Sequence, residues 1–444
     1  MLKSQPQIDA PVSETLENLT KIEDGRFQEV EVFAKLGRAR RVSRSGLNRT
    51  AVYSQEQGWA VRASDSRGSF FCAGTGQVSP QGSWPGTDGL PLKLPSPITS
   101  PAWQTPADFE APLMGEREAQ SLLEGIERAL RNEIPGAQLL QGTLDDGTSE
   151  TQIINSRGIR VRYRSRLAAL HLESLGPGAE SPRADMYIAE REARHFSPLA
   201  LARRLADRLL VLTKGTPRQR DRGEFLLAPP VMARLLESLL PLWVGPGSLD
   251  LAQDHQDSRG RLGSEALTIL DNGRLMGGAL EAPADGEGVP TREMILVDRG
   301  SFRQPLLSWQ QIPAGQKRYA GCSRRASWRD IPKAGPTHLY LKPSPAVAVT
   351  ELLENLARGY YLLDTTGAAV FDWPGNRFYL PVCGFEVRQG RASAPVSGSH
   401  LCGAISALLQ GIQAVGRDLS FLPFSGMIGS PSAVVSGLEL RALS

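Results

Sequence analysis

The sequence predicts an α+β protein, with a mixed α/β N-terminal part and a β-rich C-terminal part of mainly antiparallel strands. Three observations carry that expectation. Apolar residues recur at helical spacing in only a few long windows, chiefly 115–133, 198–212 and 229–242. Elsewhere, short period-two segments are punctuated by turn residues. After a loop rich in Gly and Asp near residue 250, the chain is almost all such segments.

At 444 residues the chain exceeds one small core. The expected division is 1–220, including a Pro/Gly-rich loop at 76–108, and 221–444. A short helix is expected over 12–23, with Ser13 as N-cap and Leu16, Leu19 and Ile22 on one face. Phe27–Phe33 alternates as a strand, followed by strands near 49–54, 58–64 and 69–72. Between 76 and 108, prolines from Pro80 to Pro106 deny regular hydrogen bonding, which makes a long surface cover.

Ala119, Leu122, Leu123, Ile126 and Leu130 form the apolar stripe of the 115–133 helix. Strands follow at 137–142, 150–155, 158–164 and 184–191, with a hairpin turn at Asn155-Ser-Arg-Gly158. Ser197-Pro198 opens the next helix. Phe225–Leu227 is a short strand before the 229–242 helix. The remaining strands are expected at 266–270, 293–297, 301–306, 337–341, 368–372, 376–380, 383–388 and 433–440. Helices near 349–357 and 402–413 interrupt them.

Composition narrows the function classes. The net charge is +3 over the whole chain, far from the concentrated basic surface of a nucleic-acid binder. Arg38, Arg40, Arg41, Arg44 and Arg49 form the densest basic stretch, read as a solvated face. Cys72, Cys322, Cys383 and Cys402 show no Cys-x-x-Cys spacing, which points to a reducing compartment. No apolar run resembles a signal peptide or a membrane span, so a cytoplasmic protein without membrane contact is expected.

Individual residues suggest chemistry weakly. His255 lies between Asp254 and Asp257 in a polar loop, a composition that more often means solvation than metal. His400 and Cys402 share a strand face, with Cys383 upstream. Cys322 precedes Arg324 and Arg325, whose charge would lower a thiol pKa, and His338 could fold close, but a loop-filling Cys with arginines bonded to structural carboxylates is the expected reading. Asp285 and Glu287 could be paired carboxylates, but the flanking glycines and Pro290 mark a structural turn. No Gly-x-Ser-x-Gly elbow is present, and Gly286-Glu-Gly288 lacks a dinucleotide-loop context.

Several segments taken together carry a resemblance. They are Leu267-Thr-Ile-Leu-Asp271, Asp285-Gly-Glu-Gly-Val-Pro-Thr291 (with Glu287, Gly288 and Pro290), Gly321-Cys-Ser-Arg-Arg325 and Leu339-Tyr-Leu-Lys-Pro343. Gly384-Phe385 with Pro395-Val396, Ala414-Val-Gly-Arg-Asp-Leu419 (with Gly416 and Asp418) and Gly429-Ser-Pro431 complete the series. In order and spacing they resemble the TldD/TldE (PmbA) metallopeptidase family. The N-terminal part is similar only loosely, at Gly58-Trp-Ala-Val-Arg62.

In the catalytic chain of that family, a Leu-Leu-His-Glu-x-x-x-His helix and a C-terminal cysteine serve zinc. The matching stretch here is Leu235-Leu-Glu-Ser-Leu-Leu-Pro-Leu242. Glu237 and Leu242 stand at the histidine positions and Ser238 at the glutamate, while Phe424–Pro431 contains no cysteine. The resemblance therefore implies a TldE-like subunit with no zinc and no catalytic residue of its own. It implies a heterodimer with a TldD-like partner, where zinc is expected, acting on unfolded or modified peptides such as natural-product precursors. The alternatives are a protease-independent regulator of the "modulator of DNA gyrase" type, or a hydrolase with a relocated site.

Overall fold

The computed structural model describes residues 27–75, 86–87, 92–98, 111–178, 181–254, 260–313 and 315–442. The expected 12–23 helix and most of the 76–108 loop lie outside these residues. Few helices and many strands make an α+β fold.

The first sheet contains β1 (Glu29–Ser45), β2 (Asn48–Asp65), β3 (Gly68–Gly74), β4 (Gly86–Thr87), β5 (Gln138–Asn155), β6 (Arg160–Leu175) and β7 (Arg183–Glu190). Their spatial order is β4-β3-β2-β1-β5-β6-β7, and every pairing is antiparallel. The strands are longer than the alternation predicted. The segments 49–54 and 58–64 belong to one strand, as do 137–142 and 150–155, while Phe27–Phe33 extends to Ser45. Outside the core neither face of β2 is buried, so selection for period two lapses while the ladder continues.

The Asn155–Gly158 hairpin forms as expected. Asn155 Oδ1 accepts from the backbone N–H groups of Arg157 and Ile159, both at 3.0 Å. The basic stretch on β1 is held by carboxylates: Arg41 by Asp145 at 2.7 Å and Arg44 by Glu127 at 2.7 Å.

Helices α1 (Glu116–Glu133) and α2 (Pro198–Lys214) bury their apolar stripes in the main core, and α2 carries the expected Ser197 cap. Helix α3 (Pro229–Ser238) starts with Pro229-Pro230 and stops early. The predicted helix ran to Leu242, but residues 240–242 form a 3-10 turn. Pro241 has no N–H to bond the carbonyl of residue 237, so the α-helical ladder cannot continue.

Two further large sheets follow, together with a small two-stranded pairing of 323–324 with 333–334. One is six-stranded, in the order 301–302, 293–298, 269–272, 338–341, 427–430, 420–423. In the other, strands 220–227, 433–442, 391–404, 377–388 and 358–365 pair in succession, and 358–365 also pairs with 220–227. The five thus close into a ring, which removes free edges. The predicted 402–413 helix shrinks to Ile405–Gln410, since the ladder of 391–404 takes its start and residues 412–415 pair with 433–435. The 301–306 strand is only Ser301–Phe302, and the 349–357 helix is Val349–Glu354.

Candidate functional site

Several of the residues singled out by sequence gather at two places, and the others lie apart. The first is the C-terminal end of α3. Its inner face buries Val231, Met232, Leu235 and Leu236, which leaves Arg234 and Glu237 at the rim. The strand pair 420–423 and 427–430 packs on this helix and brings its turn against it. Glu237 Oε2 accepts from Arg234 at 2.8 Å, and Glu237 Oε1 accepts from the Ser425 hydroxyl at 3.2 Å. The Arg234 guanidinium sits 4.0 Å from the Phe424 ring centroid. Ser238 turns back and donates to the Arg234 carbonyl at 3.0 Å. Leu242 points elsewhere, fully buried in the main core beside Trp243.

This arrangement does not fit zinc. A tight site needs neutral imidazoles or thiolates converging on one point. Here a guanidinium occupies the carboxylate, and the second histidine position is aliphatic and faces the core. Among the described residues, no group of three or more His, Cys, Asp or Glu is placed to hold a metal ion. Arg234, Phe424 and Ser425 were not singled out by sequence. Only the i, i+3 spacing of Arg234 and Glu237 hinted at the ion pair.

The second place is a buried charge network at Asp285-Gly-Glu-Gly288. Gly288 adopts φ +79°, and a Cβ there would come within 2.6 Å of Ile159, so only glycine fits. The turn drives Glu287 into the interior, fully buried. Its carboxylate accepts from Arg62 Nη2 at 3.1 Å, from the Trp309 N–H at 2.9 Å and from the Ser323 hydroxyl. Arg62 also grips Glu31 with two bonds, at 2.9 and 2.6 Å. Arg325 donates to Glu31 and to the Gly286 carbonyl, the latter at 2.8 Å, and lies 4.6 Å from the Phe33 ring centroid. Burial pushes the Glu31 carboxyl up, but Arg62 and Arg325 together leave it below its usual value.

Two carboxylates and two guanidiniums thus balance inside the protein. They join β1 and β2 of the first sheet to the 285–287 turn and the 323–325 segment. Asp285 and Glu287 lie buried beside each other, and burial together with the Glu287 charge raises the Asp285 pKa to about 7, while their oxygens are engaged in structural hydrogen bonds. Asp285 Oδ1 accepts from the Glu287 and Val289 N–H groups at 2.9 Å each, and Oδ2 from the Ser323 N–H at 3.0 Å. Both carboxylates hold backbone in place. Gly58, in the loosely similar N-terminal segment, supports the same junction: a Cβ there would strike the Trp328 ring at 2.0 Å.

Cys322 is a buried packing residue rather than an activated thiol. Its thiol is buried and donates to the Leu307 carbonyl at 3.0 Å, and burial pushes its pKa up. Arg325 is committed to Glu31 and cannot activate it. Arg324 keeps buried Nε and Nη2 atoms with no hydrogen-bond partner among the described residues; its charge acts on Asp271 and Asp285 and also on the Cys322 thiol, where burial outweighs it. His338 is locked too, with Nδ1 2.9 Å from the Asn272 carbonyl and Nε2 accepting the Leu280 N–H at 3.2 Å. Burial pulls its pKa down to about 4, which leaves it neutral. Cys383 and Cys402 are buried, and His255 lies outside the described residues.

Asp418 clips the C-terminal strands, its oxygens accepting from the Ser432 N–H at 3.0 Å and hydroxyl at 2.7 Å. Gly416 donates to the Ser432 carbonyl at 2.7 Å. Pro431 stands between the 427–430 strand and this clip. Pro290 bridges to Ala284 and closes the turn that carries Glu287.

Asp271 yields a pH prediction. It is buried on the 269–272 strand and accepts from the Thr337 N–H at 2.7 Å. Burial pushes its pKa up to about 6 from 3.8. Folding therefore favours its protonated form, so stability from this group is full below about pH 4 and is lost as pH rises through about 6. Asp271→Asn should remove up to about 3 kcal/mol of that loss. Denaturant melts of both proteins from pH 4 to 8 check it; parallel pH profiles contradict it.

A cleft lies where two terminal strands meet, β7 of the first sheet and 420–423 of the second. One cavity of about 300 Å³ is lined by Arg204, Asp207, Pro229, Pro230 and Tyr361. Another of about 320 Å³ is lined by Glu190, Met276, His338 and Phe421, and Ser420 borders both. Met276 is 90% exposed at this mouth.

The PmbA/TldA metallopeptidase central domain matches residues 110–213 and the C-terminal domain matches 222–442. The chain belongs to the PmbA/TldD metallopeptidase family. A metalloprotease of Methanothermobacter thermautotrophicus is 25% identical over 313 residues, covering 66% of this chain and 65% of that one. A TldD homologue of Buchnera aphidicola from Schizaphis graminum is 24% identical over 169 residues, 38% of this chain and 35% of that protein. The chain thus spans between about a third and just under two thirds of these curated relatives. In fold it is similar to TldE from Thermococcus kodakarensis, with TM-score 0.80, 18% identity and coverage of 96% and 100%. It is also similar to a Thermotoga maritima protein named as a modulator of a DNA gyrase, with TM-score 0.78, 17% identity and coverage of 96% and 99%.

Proposed function

We propose that this chain is a non-catalytic, TldE-like subunit that pairs with a TldD-like zinc metallopeptidase. The single observation carrying this reading is the end of α3, where Arg234, Glu237, Phe424 and Ser425 fill the place a metal would need and Leu242 faces the core. In this reading zinc and its chemistry belong to the partner. This chain supplies part of a chamber wall and of a peptide cleft for unfolded or modified peptides, natural-product precursors among them. The cleft between β7 and strand 420–423 supports that role, because terminal strands receive an extended peptide by backbone pairing. Four free cysteines agree with work in the reducing cytoplasm.

Co-expression with a TldD-like protein is the test. The two should purify as a 1:1 complex holding one zinc, and peptide cleavage should need both chains. Stoichiometric zinc in this chain alone, with cleavage that a chelator abolishes, would overturn the proposal.

A further inference from the structure

The β1–β2 arm ends in the Gly46-Leu47 turn, and beyond the body β2 has one neighbour. It pairs with β1 over residues 48–64 but with β3 only from Trp59 to Asp65. Residues 48–57 therefore present an open edge among the described residues, and all of them are exposed. The two-residue turn makes Ser45 and Asn48 a hydrogen-bonded pair, so even-numbered residues bond inward to β1. Arg49, Ala51, Tyr53, Gln55 and Gln57 aim their N–H and C=O groups outward. The Ser66-Arg67 turn, which closes Asp65 against Gly68, sets the same phase from the other end.

Proteins usually guard such edges with charge, proline or a bulge. Here the register with β1 is unbroken, and Thr50-Ala-Val-Tyr-Ser-Gln55 holds no charge and no proline. Leu47, Val52 and Tyr53 are 96%, 56% and 57% exposed.

We propose that this edge pairs antiparallel with the same edge of a second copy of this chain, about a two-fold axis at Val52. The first argument is length. The open edge runs from the turn to Trp59, where β3 begins. Two arms laid tip to root fill each other's gap, with Leu47 opposite Gln57 of the second copy. The second argument is parity. A two-fold axis normal to the sheet keeps each residue on its own face, so facing positions must both be even or both odd. Centring on Tyr53 instead would drive Leu47 onto Trp59, which Gly74 already holds.

The third argument is side-chain fit. Val52 faces Val52, Ala51 faces Tyr53, Thr50 faces Ser54, Arg49 faces Gln55 and Asn48 faces Glu56, so no like charges meet and the middle is apolar. Such a pairing adds about eight backbone hydrogen bonds. β7 is the opposite edge of the sheet, so this interface is separate from the proposed peptide cleft.

Sedimentation of the full chain across low to high micromolar concentration tests the idea. Wild type should dimerise reversibly. Val52→Lys and Val52→Glu should each weaken the dimer at least about tenfold, since like charges face each other at the axis, and an equimolar mixture should restore it. Val52 is exposed, so unchanged melting is expected in both. Tyr53→Pro, whose N–H aims outward, should give the same loss while sparing the β1 ladder. A monomeric wild type, dimers that survive both charge variants, or a mixture that stays monomeric would each overturn the proposal.

Discussion

Glu287→Ala should destabilise the folded chain by about 3–5 kcal/mol, the cost of stranding buried charge. The substitution leaves the Arg62 contact, the Ser323 hydroxyl and the Trp309 N–H without their acceptor, all in the interior. Arg62 and Arg325 would then face Glu31 alone, with one positive charge in excess. Glu287→Gln should lose less, because its carbonyl oxygen still accepts one of those bonds. Urea unfolding of the three proteins measures the difference. A loss below about 1 kcal/mol for the alanine variant would mean that the network does not secure the junction between the first sheet and the rest.

The triple substitution Glu237→His, Ser238→Glu, Leu242→His should create neither a tight zinc site nor peptidase activity. Five positions on an ideal helix subtend about 140° around the axis, so two ligands so spaced need a distorted helix end. Here α3 ends at Ser238 and Pro241 shapes the turn that follows. That turn aims position 242 into the core beside Trp243. An imidazole there is buried among apolar groups, so the variant should also lose roughly 3 kcal/mol of stability. The Arg234 cation remains over Phe424 and opposes a metal ion. Zinc titration, followed by peptide cleavage beside an inactivated partner, decides the matter. Sub-micromolar binding with turnover would show that the subunit is a dormant enzyme.

Local physics explains which features were legible in the sequence. The Ser197 cap, the apolar stripe of α1 and the Asn155–Gly158 turn are set by residues within a few positions of one another, and the chain alone determined them. The resemblance, rather than local physics, marked 237, 238 and 242, where Glu, Ser and Leu stand in place of the catalytic chain's His, Glu and His. Strand lengths were not legible: β2 runs through an exposed arm where no buried face enforces alternation.

Tertiary structure alone decided the partners of charge. Arg62 meets Glu287 across 225 positions, and Arg325 meets Glu31 across 294. The sequence shows Arg324 and Arg325 beside Cys322 without naming their carboxylate, and the fold supplies it by turning Arg325 toward Glu31 while Cys322 is sealed against the Leu307 carbonyl. Likewise Ser425 reaches Glu237 only because the 420–430 strand pair packs on α3. Spacing along the chain constrains what a helix or turn shares with its neighbours. It says nothing about which distant charge will be buried beside it, because desolvation is decided by how the sheets close.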